Sequence, residues 1–186
     1  MDAQTAAARL LDAAAELFYG RGIQAVGMDD IRAASGVSLK RLYQIFPSKE
    51  SLVDAYLRQR DIRWRRSLES YADAQMTPRD RILAVFDWLH DWFGEADFRG
   101  CGFINSFGEL GAVSPAVAEI ARTHKDAFRR YLGGLVAAAG GEPWLADQVT
   151  LLAEGAMTTA AIYGSPEPAH RAKDAARTLL DAAGLA

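Results

Sequence analysis

The sequence predicts an all-α fold, with an N-terminal group of three helices followed by a larger helical body. Three observations carry that expectation. Alanine and leucine dominate, and only 6 of the 186 residues are proline, a composition that favours helix over sheet. Apolar residues recur three and four apart along most of the chain, the spacing of one helix face. Glycine, proline and small hydroxyl residues interrupt that spacing at helix-length intervals.

The first helix carries Leu10, Leu11, Ala14, Leu17 and Phe18 as a stripe and stops at Tyr19-Gly20-Arg21-Gly22, where glycine is a stop signal. A short helix from Met28 to Ala34 follows, with Ile31 and Ala34 turned inward. Ser35-Gly36-Val37 turns the chain, and Ser38 caps a second short helix from Leu39 to Ile45. Phe46-Pro47-Ser48 breaks it, and Ser48 opens a long helix from Lys49 to about Tyr71. Thr77-Pro78-Arg79-Asp80 supplies a cap, a first-position proline and an early acid. The helix it opens carries Ile82, Val85, Phe86, Leu89 and Phe93. The glycine-containing stretch from Gly94 to Gly111 reads as irregular. Ser114-Pro115 starts a helix with Val117, Ile120, Ala121, His124, Phe128, Tyr131, Leu132 and Leu135 on one face, ended by Gly140-Gly141. From Pro143 to Tyr163 a helix is apolar nearly all round, which predicts cover on two sides. Gly164-Ser165-Pro166 separates it from a last helix, Glu167 to Ala183.

Composition narrows the function classes. No run of about 18 uncharged apolar residues is present, so no membrane helix is expected. The opening Met1-Asp2-Ala3-Gln4 lacks the basic flank and apolar run of a secretory signal. The single cysteine, Cys101, forms no intramolecular disulfide, which suits a reducing cytoplasm, the expected location. Cys101 reads either as a redox-sensitive thiol near Arg99 or as a small buried hydrophobe. His90, His124 and His170 lack the spacing of a metal site, so neither metal nor cofactor is expected. Charge is unevenly spread: the first 66 residues hold 11 Lys and Arg against 8 Asp and Glu, the remainder 10 against 16. A basic head on an acidic body suits a head that meets phosphate.

Residues 28–46 form two short helices joined by a tight turn at Gly36, the helix-turn-helix pattern. Val37, Leu42 and Phe46 face inward and set the angle between the helices. Leu39, Lys40, Arg41, Tyr43 and Gln44 remain outward, poor core material but well suited to a DNA groove. Arginine and lysine donate to guanine edges and glutamine pairs with adenine or phosphate. Lys40 and Arg41, near the N-terminal end, are therefore the expected base contacts, with Ser38, Leu39 and Gln44 beside them. Tyr43 and Lys49 are placed for phosphate, Lys49 where Ser48 leaves free amides at a helix start.

Residues 9–53 resemble the N-terminal domain of the TetR family of transcriptional regulators. The resemblance rests on Arg9-Leu10-Leu11, Leu17-Phe18, Gly22, Asp30-Ile31, Ser35-Gly36-Val37-Ser38, Leu42-Tyr43, Phe46 and Ser48-Lys49-Glu50-Ser51-Leu52. It implies nine helices, a homodimer and a variable ligand-binding domain in the C-terminal two-thirds, with phosphate contacts at Tyr43 and Lys49. The expected division is residues 1–48 for DNA binding and 49–186 for ligand binding and dimerisation. Two positions depart from the family pattern: Gly27 stands where a threonine often opens the first motif helix, and Ser38-Leu39-Lys40-Arg41 replaces a frequent Ser-Lys-Gly-Thr. The operator therefore does not carry over from relatives.

In the body, Arg58, Arg60, Arg63, Arg65 and Arg66 are spread around the long helix and read as a solvated connector. Trp88, Trp92, Phe103, Phe107 and Phe128 are the aromatic candidates for an effector pocket. Glu109 and His124 join them as polar residues in apolar surroundings, each needing a partner that a ligand or a backbone group could supply. Ala156, Ala160, Ala172 and Ala176 permit close helix approach, and Leu179 and Leu180 add area. These six are the expected homodimer interface, which would set two recognition helices about 34 Å apart on a near-palindromic operator. The expected function is therefore a ligand-responsive transcription regulator, a repressor of double-stranded DNA operators with an unidentified small-molecule effector. The alternatives are a small helical enzyme built on Cys101, His124 and Glu109, and an architectural DNA-binding protein without a ligand. No spacing supports the first, which leaves the helix-turn-helix unexplained; the second explains the head but leaves the rest of the chain without a role, and no catalytic residue is expected.

Overall fold

The computed structural model describes residues 2–185 and contains nine α-helices and no strand among them. They are α1 (Ala3–Arg21), α2 (Met28–Ser35), α3 (Leu39–Ile45), α4 (Lys49–Asp73), α5 (Pro78–Phe93), α6 (Gly102–Leu110), α7 (Pro115–Ala138), α8 (Pro143–Tyr163) and α9 (Glu167–Ala182). No helix of the described residues is long and apolar enough to cross a membrane. One element corrects the sequence reading. Within the stretch expected to be irregular, Gly102–Leu110 is helical, and the Ser106 hydroxyl donates to the Gly102 carbonyl at 2.7 Å across its first turn.

The chain packs as two units, Met1–Ile62 with Gly102–Arg122, and Arg63–Cys101 with Thr123–Ala186. Helix α6 and the start of α7 therefore group with the N-terminal helices, although they lie beyond the division expected at residue 48.

In the first unit, α1 begins where the Asp2 carboxylate accepts the Thr5 N–H at 2.8 Å. It ends at Gly22, whose φ of 88° suits glycine alone among the residues. Its buried residues Ala6, Leu10, Ala13, Ala14, Leu17 and Phe18 follow helical spacing, and Phe18 meets Tyr56 edge-on at 5.6 Å. Gly27 offers α2 no side-chain cap, but Asp30 compensates by accepting the Gly27 N–H at 2.7 Å. Gly36 closes α2 in the left-handed region at φ 67°, so the turn into α3 depends on glycine. Ile31, Leu42, Leu52 and Leu57 are buried at the centre of this unit.

In the second unit, the Thr77 hydroxyl accepts the Asp80 N–H at 3.1 Å and Pro78 stands in the first turn, which starts α5 as expected. Helix α5 buries Ile82, Val85, Phe86 and Leu89. It packs on α9, and α9 packs on α8. Helix α8 buries Leu145, Ala146, Val149, Ala153, Ala156, Met157 and Ala160. Its opposite side is not covered within the chain: Trp144, Leu151, Ile162 and Tyr163 are all exposed, Leu151 to 71%.

Candidate nucleic-acid interface

Helix α3 is held by its inward residues. Leu42 is fully buried, and Val37 and Phe46 on either side of the helix are also buried, which fixes α3 against α1 and α2. The Ser38 hydroxyl caps it by accepting the Arg41 N–H at 3.4 Å. With the apolar residues engaged, Ser38, Leu39, Lys40, Tyr43 and Gln44 are exposed and Arg41 is half-buried. The Arg41 guanidinium donates to the Gln44 side-chain oxygen at 3.3 Å. Arg41, an expected base contact, and Gln44, expected beside it, are thus pre-arranged on one face. Together with Val37, Ser38 and Lys40 they line a shallow, open concavity of about 420 Å³. Helix α3 carries no acidic residue, so the only side-chain charges on its outward face, Lys40 and Arg41, attract phosphate.

Lys49 lies at the start of α4, where Ser48 and Ser51 cap reciprocally. Each hydroxyl accepts the other's backbone N–H at 3.2 Å. Glu50 in the same turn is held below the usual carboxylate range by the Ser48 hydroxyl.

The effector candidates divide between the two units. In the second unit, Trp88, Trp92, His124 and Phe128 surround a residue that the sequence reading passed over, Trp64. Its ring lies 5.1 Å from Trp88, 5.9 Å from Trp92, 4.9 Å from His124 and 5.3 Å from Phe128, all edge-to-face. All five are buried. The Trp88 indole N–H donates to the Ser67 hydroxyl at 3.1 Å. The buried Trp64 Nε1 and Glu154 Oε1 have no hydrogen-bond partner among the described residues, while the other Glu154 oxygen pairs with Lys125. Lys125 also donates to Cys101 Sγ at 3.4 Å, and Cys101 is buried. The Arg99 guanidinium is turned to the carbonyls of Ala96 and Phe98.

Phe103, Phe107 and Glu109 instead belong to α6 in the first unit. Phe103 is buried and Phe107 exposed. The partner that Glu109 needs is supplied by the chain itself, since its two carboxylate oxygens accept the N–H groups of Ile23 and Gln24.

Of the expected interface residues, Ala156, Ala160, Ala172, Ala176 and Leu180 are buried within the chain, on α8 and α9, and Leu179 is half-buried. Close helix approach is indeed what the alanines permit, but the helices they bring together include those of a single chain. No group of three or more His, Cys, Asp or Glu residues among those described is placed to hold a metal.

Residues 10–56 match the family described as bacterial regulatory proteins, tetR family. Among solved structures, the chain is similar to a TetR-family transcriptional regulator from Streptomyces coelicolor. The identity is 28% and the TM-score 0.89, covering 97% of this chain and 96% of that one. A TetR transcriptional regulator from Streptomyces avermitilis is 30% identical with a TM-score of 0.83, over 97% and 99% of the two chains. The chain is also similar to the transcriptional activator FasR of Mycolicibacterium smegmatis. That likeness is 40% identity over 89 residues, 45% of this chain and 40% of that protein. The chain thus matches less than half the length of the curated relatives it resembles.

Proposed function

Since the chain belongs to the TetR family of bacterial transcriptional regulators, we propose that it acts as a homodimer on a near-palindromic operator and that a small molecule controls its hold on DNA. The family is one of DNA-binding regulators rather than enzymes. The observation that carries the operator reading is the outward face of α3, where Lys40, Arg41 and Gln44 project from a helix locked by Leu42. In this reading Lys40 and Arg41 donate to base edges in the major groove. Tyr43 and Lys49 hold phosphates on either side, with Ser38 and Leu39 at the leading end.

The open side of α8 supports the homodimer. Leu151, Ile162 and Tyr163 form apolar surface that a monomer leaves in water. An open cleft lined by Leu151, Gly155, Thr159, Tyr163 and Arg171 borders it. A two-fold axis there would cover both copies at once. The alanine seam beneath serves as the support of that interface rather than its surface.

The aromatic cluster around Trp64 supports the effector reading. An effector bringing an acceptor to Trp64 Nε1 would relieve an unmade hydrogen bond worth about 1–3 kcal/mol, and Glu154 Oε1 is a second open acceptor in the same unit. The effector releases DNA only if it binds the non-operator arrangement more tightly than the operator-bound one. Occlusion of a promoter makes the regulator a repressor. Activation is the competing reading, favoured by the likeness to a named activator.

Enrichment of duplexes from a randomised pool tests the proposal. Sites made of two inverted, related half-sites about one helical turn apart support it. A single asymmetric half-site, or no enrichment, contradicts it.

A further inference from the structure

We infer that Glu109 is a positioning residue of the DNA-binding head, fixing the loop that delivers α2 and α3 from a helix outside the helix-turn-helix. The inference rests on the DNA-binding reading of α3. Glu109 Oε1 accepts the Ile23 N–H at 3.0 Å and Oε2 accepts the Gln24 N–H at 2.8 Å. The Gln24 side-chain amide returns a hydrogen bond to the Glu109 carbonyl at 2.6 Å. One turn of α6 is thus bonded three times to two consecutive loop residues. Hydrogen bonds to an ionised carboxylate are stronger than those between neutral groups.

The loop is built around this contact. Gly22 directs the chain with a φ of 88°, and a Cβ placed there would lie 3.2 Å from both Glu109 oxygens. The position therefore needs glycine for both its backbone angle and the carboxylate's approach. Ile23 and Val26 on either side of Gln24 are buried. Only residues 25–27 separate the clamp from α2, whose first turn Asp30 fixes through the Gly27 N–H. The other end of α6 is held as well. The Arg60 side chain lies against Gly102, 2.6 Å from where a Cβ would sit, and its guanidinium covers the Tyr19 ring at 3.8 Å. Helix α6 is thereby gripped by α4 at its start and by the α1–α2 loop at its end. The family match at residues 10–56 does not include it.

A positioning role differs from simple stabilisation in the sign of its effects. Removing a carboxylate from beside a basic head strengthens non-specific attraction to DNA, whereas loosening the loop weakens specific binding. The test compares wild type, Glu109→Gln and Gln24→Ala in the full chain, using a duplex enriched by the wild type and an unrelated duplex. For Glu109→Gln, affinity for the enriched duplex is expected to fall about tenfold, with affinity for the unrelated duplex unchanged or higher. Gln24→Ala, a change at an exposed side chain, is expected to give a smaller loss of the same kind and keeps the test open should Glu109→Gln fail to fold. Hydrogen exchange without DNA is expected to quicken at the Ile23 and Gln24 amides and along α3. Affinities within twofold of wild type, or equal losses on both duplexes, would overturn the inference. So would unchanged exchange at α3, whether or not any duplex is bound.

Discussion

The Ser38 hydroxyl accepts the Arg41 backbone N–H at 3.4 Å, so the residue that starts α3 also fixes the turn from which its arginine projects. The cap therefore contributes to helix stability and to the placement of a groove-facing cation. Ser38→Ala is predicted to lower the stability of the fold by about 1 kcal/mol, read as a shift in the urea midpoint. An unchanged midpoint would show that this bond contributes nothing.

Leu42 is fully buried in the first unit, on the opposite face of α3 from Lys40 and Gln44. Leu42→Ala is predicted to destabilise the protein by about 2–5 kcal/mol and to reduce DNA binding as the helix loses its seat. Denaturant unfolding monitored by circular dichroism measures the first effect. A loss below about 1 kcal/mol would mean that α3 is held by other contacts.

The sequence showed most of this architecture because its punctuation is local. Ser38, Thr77 and Gly36 act on their own turns, and α3 and α8 have the limits their caps and glycines predict. Helix α6 was illegible because Gly102 and Gly108 are poor helix formers and its ends are held by Arg60 and by the α1–α2 loop, both remote in sequence. Trp64 was hidden for a different reason. It forms a buried row with Leu68 and Ala72, but the five arginines around it dominate the local pattern. Phe103, Phe107 and Glu109 were grouped with the tryptophans by residue type, and only the packing assigns α6 to the first unit. The alanines of α8 and α9 signalled close helix packing, a signal that does not distinguish a neighbouring helix of the same chain from one of a second copy.

Leu151 is exposed on α8, so replacing it should cost the monomer little. Leu151→Glu is predicted to give a folded monomer, because two carboxylates brought to a two-fold interface would be buried without partners. Light scattering at micromolar concentration reads the result. A variant that remains as dimeric as the wild type would place the interface elsewhere.

Burial, together with the nearby Asp73 carboxylate that accepts its O–H at 3.3 Å, pushes the Tyr131 phenol well above its ordinary range. The unfolded chain ionises this tyrosine near about pH 10, while the folded chain keeps it neutral. Unfolding therefore releases a proton above that pH, and stability present below it falls as pH rises. Tyr131→Phe is predicted to lessen the loss of stability between about pH 9 and 11, measured as urea midpoints. Identical alkaline profiles for variant and wild type would contradict it.

Operator reading depends on the outward cations of α3, and salt-dependent binding puts them to the test. Affinity for an enriched duplex and for an unrelated one would be measured over a range of salt for the wild type and for a Lys40→Ala, Arg41→Ala double variant. The predicted result is steep salt dependence for the wild type. The variant should lose about 1–3 kcal/mol per removed base contact on the enriched duplex, with much smaller losses on the unrelated one. A variant that still separates the two duplexes as well as the wild type would show that α3 does not read the operator.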